Sequence, residues 1–381
     1  MLFTTPQLRP KEHEVLAQVE DLKTKLRWQL REPRRWYGSL RRASFARAVQ
    51  GSNSIEGFDA ELDDAAAVDL GEDTLSASEE TEHALKGYRD AMTFVLQLAN
   101  EPNFHYGEQL LKSLHFMMTS YDLKNRPGLW RAGAIFVRND ETGEIVYEGV
   151  GIDEVEALMH ELVTQLDMDD SSECPVLVRA AMAHLNLVLI HPFRDGNGRM
   201  ARCLQTLVLA RERILDPVFC SIEEYLGRNT LTYYDVLAEV GAGQWQPKRD
   251  ATPWVRFMLT AHVRQGRTML RRIKESERLW EELERMTAQH GLPDRTVVLL
   301  YDAANGYRVR NATYRAVWKD ELTDGMASRD LRALVKSDLL ITHGEKRGRY
   351  YTRSKHLAEV RQKIIDARDP RDDSDPFAST V

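Results

Sequence analysis

Two apolar helical stretches, Val176 to Ile190 and about Asn197 to Arg213, are separated by one short run: His191-Pro-Phe-Arg-Asp195-Gly196-Asn197-Gly198-Arg199-Met-Ala-Arg202. Such a run reads as a loop that opens a helix. Glycines there let backbone approach a ligand closely. The N–H groups of the first helical turn point at that ligand, and the helix dipole favours negative charge. Arg199 and Arg202 are three apart and share a helix face. Two guanidinium groups suit phosphate oxygens in bidentate geometry. Asp195 is placed to hold Mg²⁺, which takes one or two carboxylates plus phosphates. His191 is the natural general base, because imidazole titrates near working pH. Each piece has a plain alternative: a His before Pro is commonly a loop residue, Asp-Gly-Asn-Gly a turn, and spaced arginines a solvated face. Their conjunction within twelve residues points to transfer chemistry on a nucleotide phosphate.

A rival reading takes Gly196-Asn-Gly198-Arg-Met-Ala201 as a dinucleotide fingerprint, with Asp216 20 residues on. That fingerprint requires a strand running directly into the first glycine, inside a βαβ unit. Here His-Pro-Phe-Arg-Asp intervenes, the preceding run is helix-length, and strands and helices do not alternate around it.

Elsewhere helical periodicity dominates. Lys11–Leu30 carries Val15, Leu16, Val19, Leu22 and Leu26 on one stripe, and Ser78–Ala99, Gly107–Ser120, Asp153–Leu166, Ser221–Val240 and Trp254–His262 also read as helices. Arg41–Gln50 is helix-prone, and Gly51 is expected to interrupt it before Ser52-Asn-Ser-Ile-Glu56-Gly57. Residues 134–137 and 144–147 flank a Gly-containing turn and predict a hairpin, which must lean on its neighbours. The chain of 381 residues suggests two or three domains. The expected division is 1–107, an N-terminal helical region; 108–262, the core; 263–292, a connector helix; 293–357, a C-terminal domain; and 366–381, a disordered polar tail.

No stretch reaches the roughly 18 apolar residues of a membrane span, and the N-terminus lacks a signal-peptide core. No membrane partner is expected. Cys174, Cys203 and Cys220 are too few for a disulfide framework and match no zinc spacing, which fits reduced thiols in a cytoplasmic setting. Net charge is −7, but Pro293–Leu357 holds 13 Lys+Arg against 8 Asp+Glu. A mildly acidic chain thus carries a locally basic C-terminal segment.

The twelve-residue run resembles, without departure, the signature H-x-F-x-D/E-G-N-G-R-x-x-R of Fic-domain proteins. Pro127-Gly128-Leu-Trp-Arg131 and the following hairpin resemble that family's entry to its flap, and Tyr233-Tyr234 its tyrosine pair. The resemblance covers about Glu108 to Val240 and extends upstream to about Arg34. It implies an all-α fold with a helical core and a β-hairpin flap. It also implies a nucleotidyltransferase that moves AMP from ATP to a Ser, Thr or Tyr hydroxyl of a protein, releasing pyrophosphate. Carried over, His191 is the base, Phe193 anchors the loop, and Asp195 binds Mg²⁺. Gly196, Asn197, Gly198, Arg199, Met200, Ala201 and Arg202 form the ATP-binding run. Tyr234 with Tyr233 lies by the adenosine, and Ile135 on the flap aligns the target as an added strand. Relatives that phosphorylate carry Lys in place of Gly198, so Gly198 favours AMP transfer. Other relatives transfer other phosphate-linked groups.

Ser52-Asn-Ser-Ile-Glu56-Gly57 resembles the family's inhibitory motif [S/T]-x-x-x-E-[G/N]. A Glu56 carboxylate reaching Arg202 would occupy the place of the γ-phosphate. The local alternative is a capping-box variant of Asn53 and Glu56. In the C-terminal domain, DGMASRDLRALVKSDLLITHGEKRGRYY resembles the recognition helix and wing of winged-helix (α+β) domains. Ser328, Arg329, Arg332 and Lys336 would then face DNA, and Lys346, Arg347 and Arg349 would contact phosphate; such domains also mediate protein contacts alone. Implied partners are a target protein, the chain itself through auto-modification, DNA, and a second copy in a homodimer. Two alternatives stay open: a DNA-binding regulator whose core senses nucleotide, and an enzyme that removes AMP, with Glu56 positioning water.

Overall fold

The computed structural model describes residues 1–31, 34–139, 142–168, 174–211, 221–318 and 321–378; Asp216, Cys220 and residues 379–381 lie outside them. In chain order the elements are α1 (Pro10–Leu30), α2 (Tyr37–Ser54), α3 (Leu62–Asp69), α4 (Glu79–Leu98) and α5 (Glu108–Thr119). Next come β1 (Phe136–Arg138), β2 (Ile145–Glu148), α6 (Ile152–Met168), α7 (Val176–Ile190), α8 (Asn197–Arg211), α9 (Glu223–Arg228) and α10 (Thr230–Gly241). Then follow α11 (Thr252–Gln289), α12 (Val297–Ala304), α13 (Asn311–Trp318), α14 (Asp324–Lys336), β3 (Leu340–His343), β4 (Tyr350–Arg353) and α15 (Lys355–Asp366). The core is helical and carries one small hairpin, β1–β2, as expected.

Helices α7 and α8 pack against each other at the centre, buried around most of their circumference. Polar groups on so apolar a helix need partners, and they have them. Asn186 accepts the Phe3 N–H at 2.8 Å and donates to the Met182 carbonyl at 2.9 Å. His184 contacts Gln205 at 2.7 Å and the Tyr233 hydroxyl at 2.9 Å. Burial takes its pKa down to about 3, so it is a neutral core residue.

Helix α2 runs unbroken through Gly51, against expectation. Glycine in a helix costs about 1 kcal/mol against alanine, but here it permits contact. A Cβ at Gly51 would lie 2.6 Å from the Glu223 carbonyl oxygen, and one at Gly227 would lie 2.7 Å from the Gly51 oxygen. The two glycines thus let α2 and α9 touch backbone to backbone. The expected helix over 221–240 is broken in two at Asn229.

The hairpin is short, and its β2 strand is tied inward. The Tyr147 hydroxyl donates to the Leu189 carbonyl at 2.8 Å, and the Glu148 N–H to the Gly243 carbonyl at 2.9 Å. The expected connector over 263–292 is the second half of α11, a single 38-residue helix beginning at Thr252. Its apolar stripe serves two cores in turn: Trp254 to Val263 face the first, Met269 to Met286 the second. The second core is built with α12–α15 and the β3–β4 hairpin, joined by a bridge between Val309 and Tyr351.

The tail was expected to be disordered. Through residue 378 it lies along α11 instead: Lys274 pairs with Asp369 at 3.0 Å, Arg267 with Asp372 at 3.0 Å, and Arg256 stacks over Phe377. Composition alone misses this, because the basic face that receives these acids is on another element. Among the described residues no helix is long and apolar enough to cross a membrane, and Cys203 is a buried free thiol.

Candidate functional site

The site begins where α7 ends. His191 is the helix C-cap in the left-handed region (φ 56°, ψ 57°), its N–H bonded to the Leu187 carbonyl at 3.0 Å. Its Nδ1 lies 3.0 Å from the Val188 carbonyl oxygen. A carbonyl only accepts, so Nδ1 carries the proton and Nε2 is left as a lone-pair base. Burial pushes the imidazole below its ordinary pKa, partly offset by the Val188 carbonyl and the Glu56 carboxylate. At neutral pH the ring is the neutral, proton-accepting form.

The loop after it is locked from both sides. Phe193 is fully buried and stacks on His115 with ring centroids 3.7 Å apart. His115 Nε2 meets the Asp195 carbonyl at 2.8 Å, and its Nδ1 accepts the Gly128 N–H at 2.9 Å. Burial takes its pKa down to about 4, so it stays neutral. The Asn197 side chain closes the loop on itself: it accepts the Phe193 N–H and donates to the Phe193 carbonyl, both at 2.9 Å. Asn197 is therefore a loop clamp, and only its backbone can face a ligand. Gly196 has φ 75°, and a Cβ there would meet Thr119 at 2.9 Å. The first-turn N–H groups of α8 have no partner inside the helix.

Arg199 and Arg202 point from α8 towards that loop and are buried. Arg199 donates to the Tyr121 hydroxyl at 3.2 Å, lies over the Phe58 ring, and sits 3.7 Å from the Asp195 carboxylate. Its Nε and Nη2, and Nη1 of Arg202, make no hydrogen bond. Buried guanidinium donors without acceptors are costly, and they mark a place suited to an anion. Asp195 is half-exposed at the mouth of the loop.

Glu56 enters this space directly. Its Oε1 accepts from Arg202 Nη2 at 2.7 Å. Arg202 also donates to the Ser52 hydroxyl at 2.7 Å and the Ser52 carbonyl at 2.9 Å. Burial alone would raise the Glu56 carboxyl; the charges of Arg202 and Arg199 outweigh it and hold the group below the usual carboxylate range. A Cβ on Gly198 would collide with Glu56 Oε1, so the carboxylate lies against the glycine backbone itself. The capping-box alternative fails: Asn53 lies within α2 and its Nδ2 donates back to the Val49 carbonyl at 2.8 Å.

Three expected ligand residues face elsewhere. Met200 and Ala201 are fully buried in the main core, on the sides of α8 away from the arginines. Tyr233 is 1% exposed and bonded to His184, and it lies on the core side of Arg202, whose charge acts on its hydroxyl. Tyr234 is exposed, and its hydroxyl donates to the Ile55 carbonyl at 2.9 Å, beside Glu56. Ile135 is half-buried at the base of the hairpin; its carbonyl accepts the Gly149 N–H at 3.1 Å, next to His191. His115, Tyr121 and Phe58 carried no local signal. Arg131 stood in the Pro127–Arg131 run without a role. It is a buried clamp that donates to the carbonyls of His191 (2.9 Å), Gly133 (2.7 Å) and Val150, and so joins the hairpin to the base.

Comparison with known proteins agrees with this geometry. Residues 105–209 match the model of the Fic/DOC family. The chain is 36% identical over 100 residues to protein adenylyltransferase fic-1 of Caenorhabditis elegans, covering 26% of this chain and 17% of that one. It is 40% identical over 79 residues to protein adenylyltransferase Fic of Aedes aegypti, covering 21% and 13%. The match thus spans less than a fifth of these curated relatives. Among solved structures, a Fic family protein from Desulfovibrio desulfuricans G20 superposes with TM-score 0.58 at 21% identity, over 92% of this chain and 98% of that one. The chain carries a Fic domain, and its fold is that of Fic proteins.

Proposed function

We propose that the chain transfers AMP from ATP to a Ser, Thr or Tyr hydroxyl of a protein, with its own hydroxyls among the acceptors, and that Glu56 restrains it. One observation carries the reading: buried, unpaired guanidinium donors of Arg199 and Arg202 stand with a proton-accepting His191 around one glycine loop. The hydroxyl gives its proton to His191 Nε2, and its oxygen attacks the α-phosphorus. The bond to the bridging oxygen breaks, and pyrophosphate leaves with the electron pair. The Gly196–Gly198 backbone and the two arginines stabilise charge on the phosphates, which is the larger share of such catalysis.

A single half-exposed carboxylate suits a cation that takes its remaining ligands from phosphate and water. Asp195 would hold Mg²⁺, which neutralises phosphate charge when bound. The outer edge of β1 offers backbone to an extended target segment. With Glu56 on Arg202, the γ-phosphate and the carboxylate compete for one guanidinium, and like charges repel.

The C-terminal unit we read as a winged helix. Arg329, Arg332 and Lys336 are exposed on α14, Lys346 and Arg349 in the β3–β4 turn, while Ser328 accepts from Asn311 at 2.9 Å. This arrangement suits a phosphate backbone.

The test uses α-labelled ATP with Mg²⁺ on the parent, Glu56→Gly, and Glu56→Gly with His191→Ala. Label on protein is expected to rise at least tenfold in the first variant and vanish in the second. A folded Glu56→Gly variant no more active than the parent would remove the restraint. Absence of label despite ATP binding would remove AMP transfer.

A further inference from the structure

Away from the glycine loop, α2, α9, α11, α12, α15 and the tail enclose a cavity of about 650 Å³. Seven arginines line it: Arg47, Arg228, Arg271, Arg272, Arg361, Arg368 and Arg371, against the carboxylates Glu275, Asp366 and Asp369. Four of the seven, Arg47, Arg271, Arg272 and Arg361, are less than a fifth exposed. These are not side chains extended into solvent.

Their carboxylate partners are shared. Glu224, behind the cavity, serves Arg272 (2.5 and 2.6 Å), Arg228 (2.7 Å) and, more distantly, Arg47 (3.9 Å). Glu275 serves Arg361 (3.2 Å) and Arg271 (3.7 Å). Nε of Arg271 and Nη1 of Arg361 are buried and make no hydrogen bond, and Arg368 has no ion pair among the described residues. With the outside partners counted as well, Glu224, Asp373 on Arg371 (2.8 Å) and Lys274 on Asp369 (3.0 Å), cations outnumber carboxylates by three. Burial, then the neighbouring charge of Arg368, pushes Arg271 below the ordinary guanidinium value. The cluster is thus short of negative charge in a recessed place.

We propose that this cavity is a second anion site, one that takes a small molecule bearing two or more linked phosphates. A surplus of three positive charges exceeds what one phosphate monoester, at about −1.5 to −2, neutralises. The guanidinium forks match phosphate oxygens in bidentate geometry. The volume lies within the roughly 300–1,000 Å³ of small-molecule sites. The recess disfavours duplex nucleic acid, whose phosphates are met by exposed side chains. The site shares no residue with the glycine loop and does not depend on the transfer reaction.

The full chain is titrated with inorganic triphosphate in low and physiological salt. The expected result is a binding event, additional to any at the glycine loop, that Arg368→Ala and Arg271→Lys each weaken at least tenfold. Arg368 makes no ion pair among the described residues, so its variant is expected to retain the fold, which circular dichroism checks; Arg271→Lys keeps the charge and loses the fork. ATP then replaces triphosphate. Equal affinity means the phosphates alone are read, and tighter binding lost in the same two variants means the nucleoside is held too; both support the site. A titration in which the two cavity variants weaken no binding event, or one with no binding at millimolar triphosphate, overturns it. So does an affinity that follows salt identically for phosphate, pyrophosphate and triphosphate.

Discussion

At the scale of single residues, the site works through which side chains are left unpaired and which are not. Arg199 and Arg202 keep buried donors free, while the polar groups beneath them are nearly all satisfied. Glu223, like Asn53 Oδ1, is an exception among the described residues. Its Oε1 accepts from the Tyr88 and Thr206 hydroxyls, both at 3.1 Å, and its Oε2 is buried without a partner. Burial pushes its pKa up to about 7. The folded chain therefore holds this proton until about pH 7, whereas the unfolded chain releases it near the ordinary carboxylate value. Stability falls as pH rises through that window, and the full penalty applies above it. Glu223→Gln keeps the accepting oxygen and removes the titration. Urea unfolding at pH 5, 6, 7 and 8 is expected to give a flatter profile for the variant and a gain on the order of 2–3 kcal/mol at pH 8. Parallel profiles for parent and variant would show that Glu223 ionises freely in the folded state.

At the scale of elements, the pairing of Glu56 with Arg202 depends on where α2 lies. The Gly51–Gly227 contact sets that position, because no other residue lets α2 and α9 approach so closely. Gly227→Ala forces a methyl into the α2 backbone, and overpacking of this kind costs about 1–3 kcal/mol. A drop of that size in the free energy of unfolding is expected, in contrast to the small gain alanine brings at an unhindered helical site. No loss on urea unfolding would mean that the helices separate freely. The hairpin obeys similar logic. Two strands of three and four residues are marginal alone, so Tyr147 and Arg131 supply the anchorage that the pairing lacks.

At the scale of the whole molecule, the C-terminal unit is bound to the N-terminal region by charge as well as by the shared helix α11. Arg308 is buried at the junction. It lies 3.7 Å from Asp63, 3.6 Å from Asp64 and 3.7 Å from Glu72, and donates to the Asp73 carbonyl at 2.5 Å. Burial already raises the Asp63 and Glu72 carboxyls, against the pull of the arginines. Arg308→Met would leave Asp63 without its ion pair, while Arg310 still holds Glu72 at 3.0 Å and Asp64 keeps the donors of residues 75–77, a loss of about 3 kcal/mol for a broken buried pair. Thermal unfolding is expected to show that loss at pH 7 and a smaller one at pH 5, where more of the Asp63 carboxyl is protonated. An equal loss at both pH values would assign the role of Arg308 to packing.

The sequence alone determined what is local to the chain: the glycine loop, the helix it opens, the histidine before it, and the two arginines on one face. Those follow from spacing along a few turns of backbone, and residues His191, Gly196, Gly198, Arg199 and Arg202 stand where that spacing predicts. The same helical period would have turned Met200 and Ala201 away from the site, since they lie off the arginine face. Tertiary structure alone decided the remainder. That Tyr233 lies on the core side of Arg202, that His115 and Arg131 brace the loop, and that α2 passes through Gly51 all depend on elements far apart in sequence. So does the cluster of seven arginines, which five separate segments bring together. Proximity of that kind is a property of packed surfaces, and no pattern within a single segment encodes it.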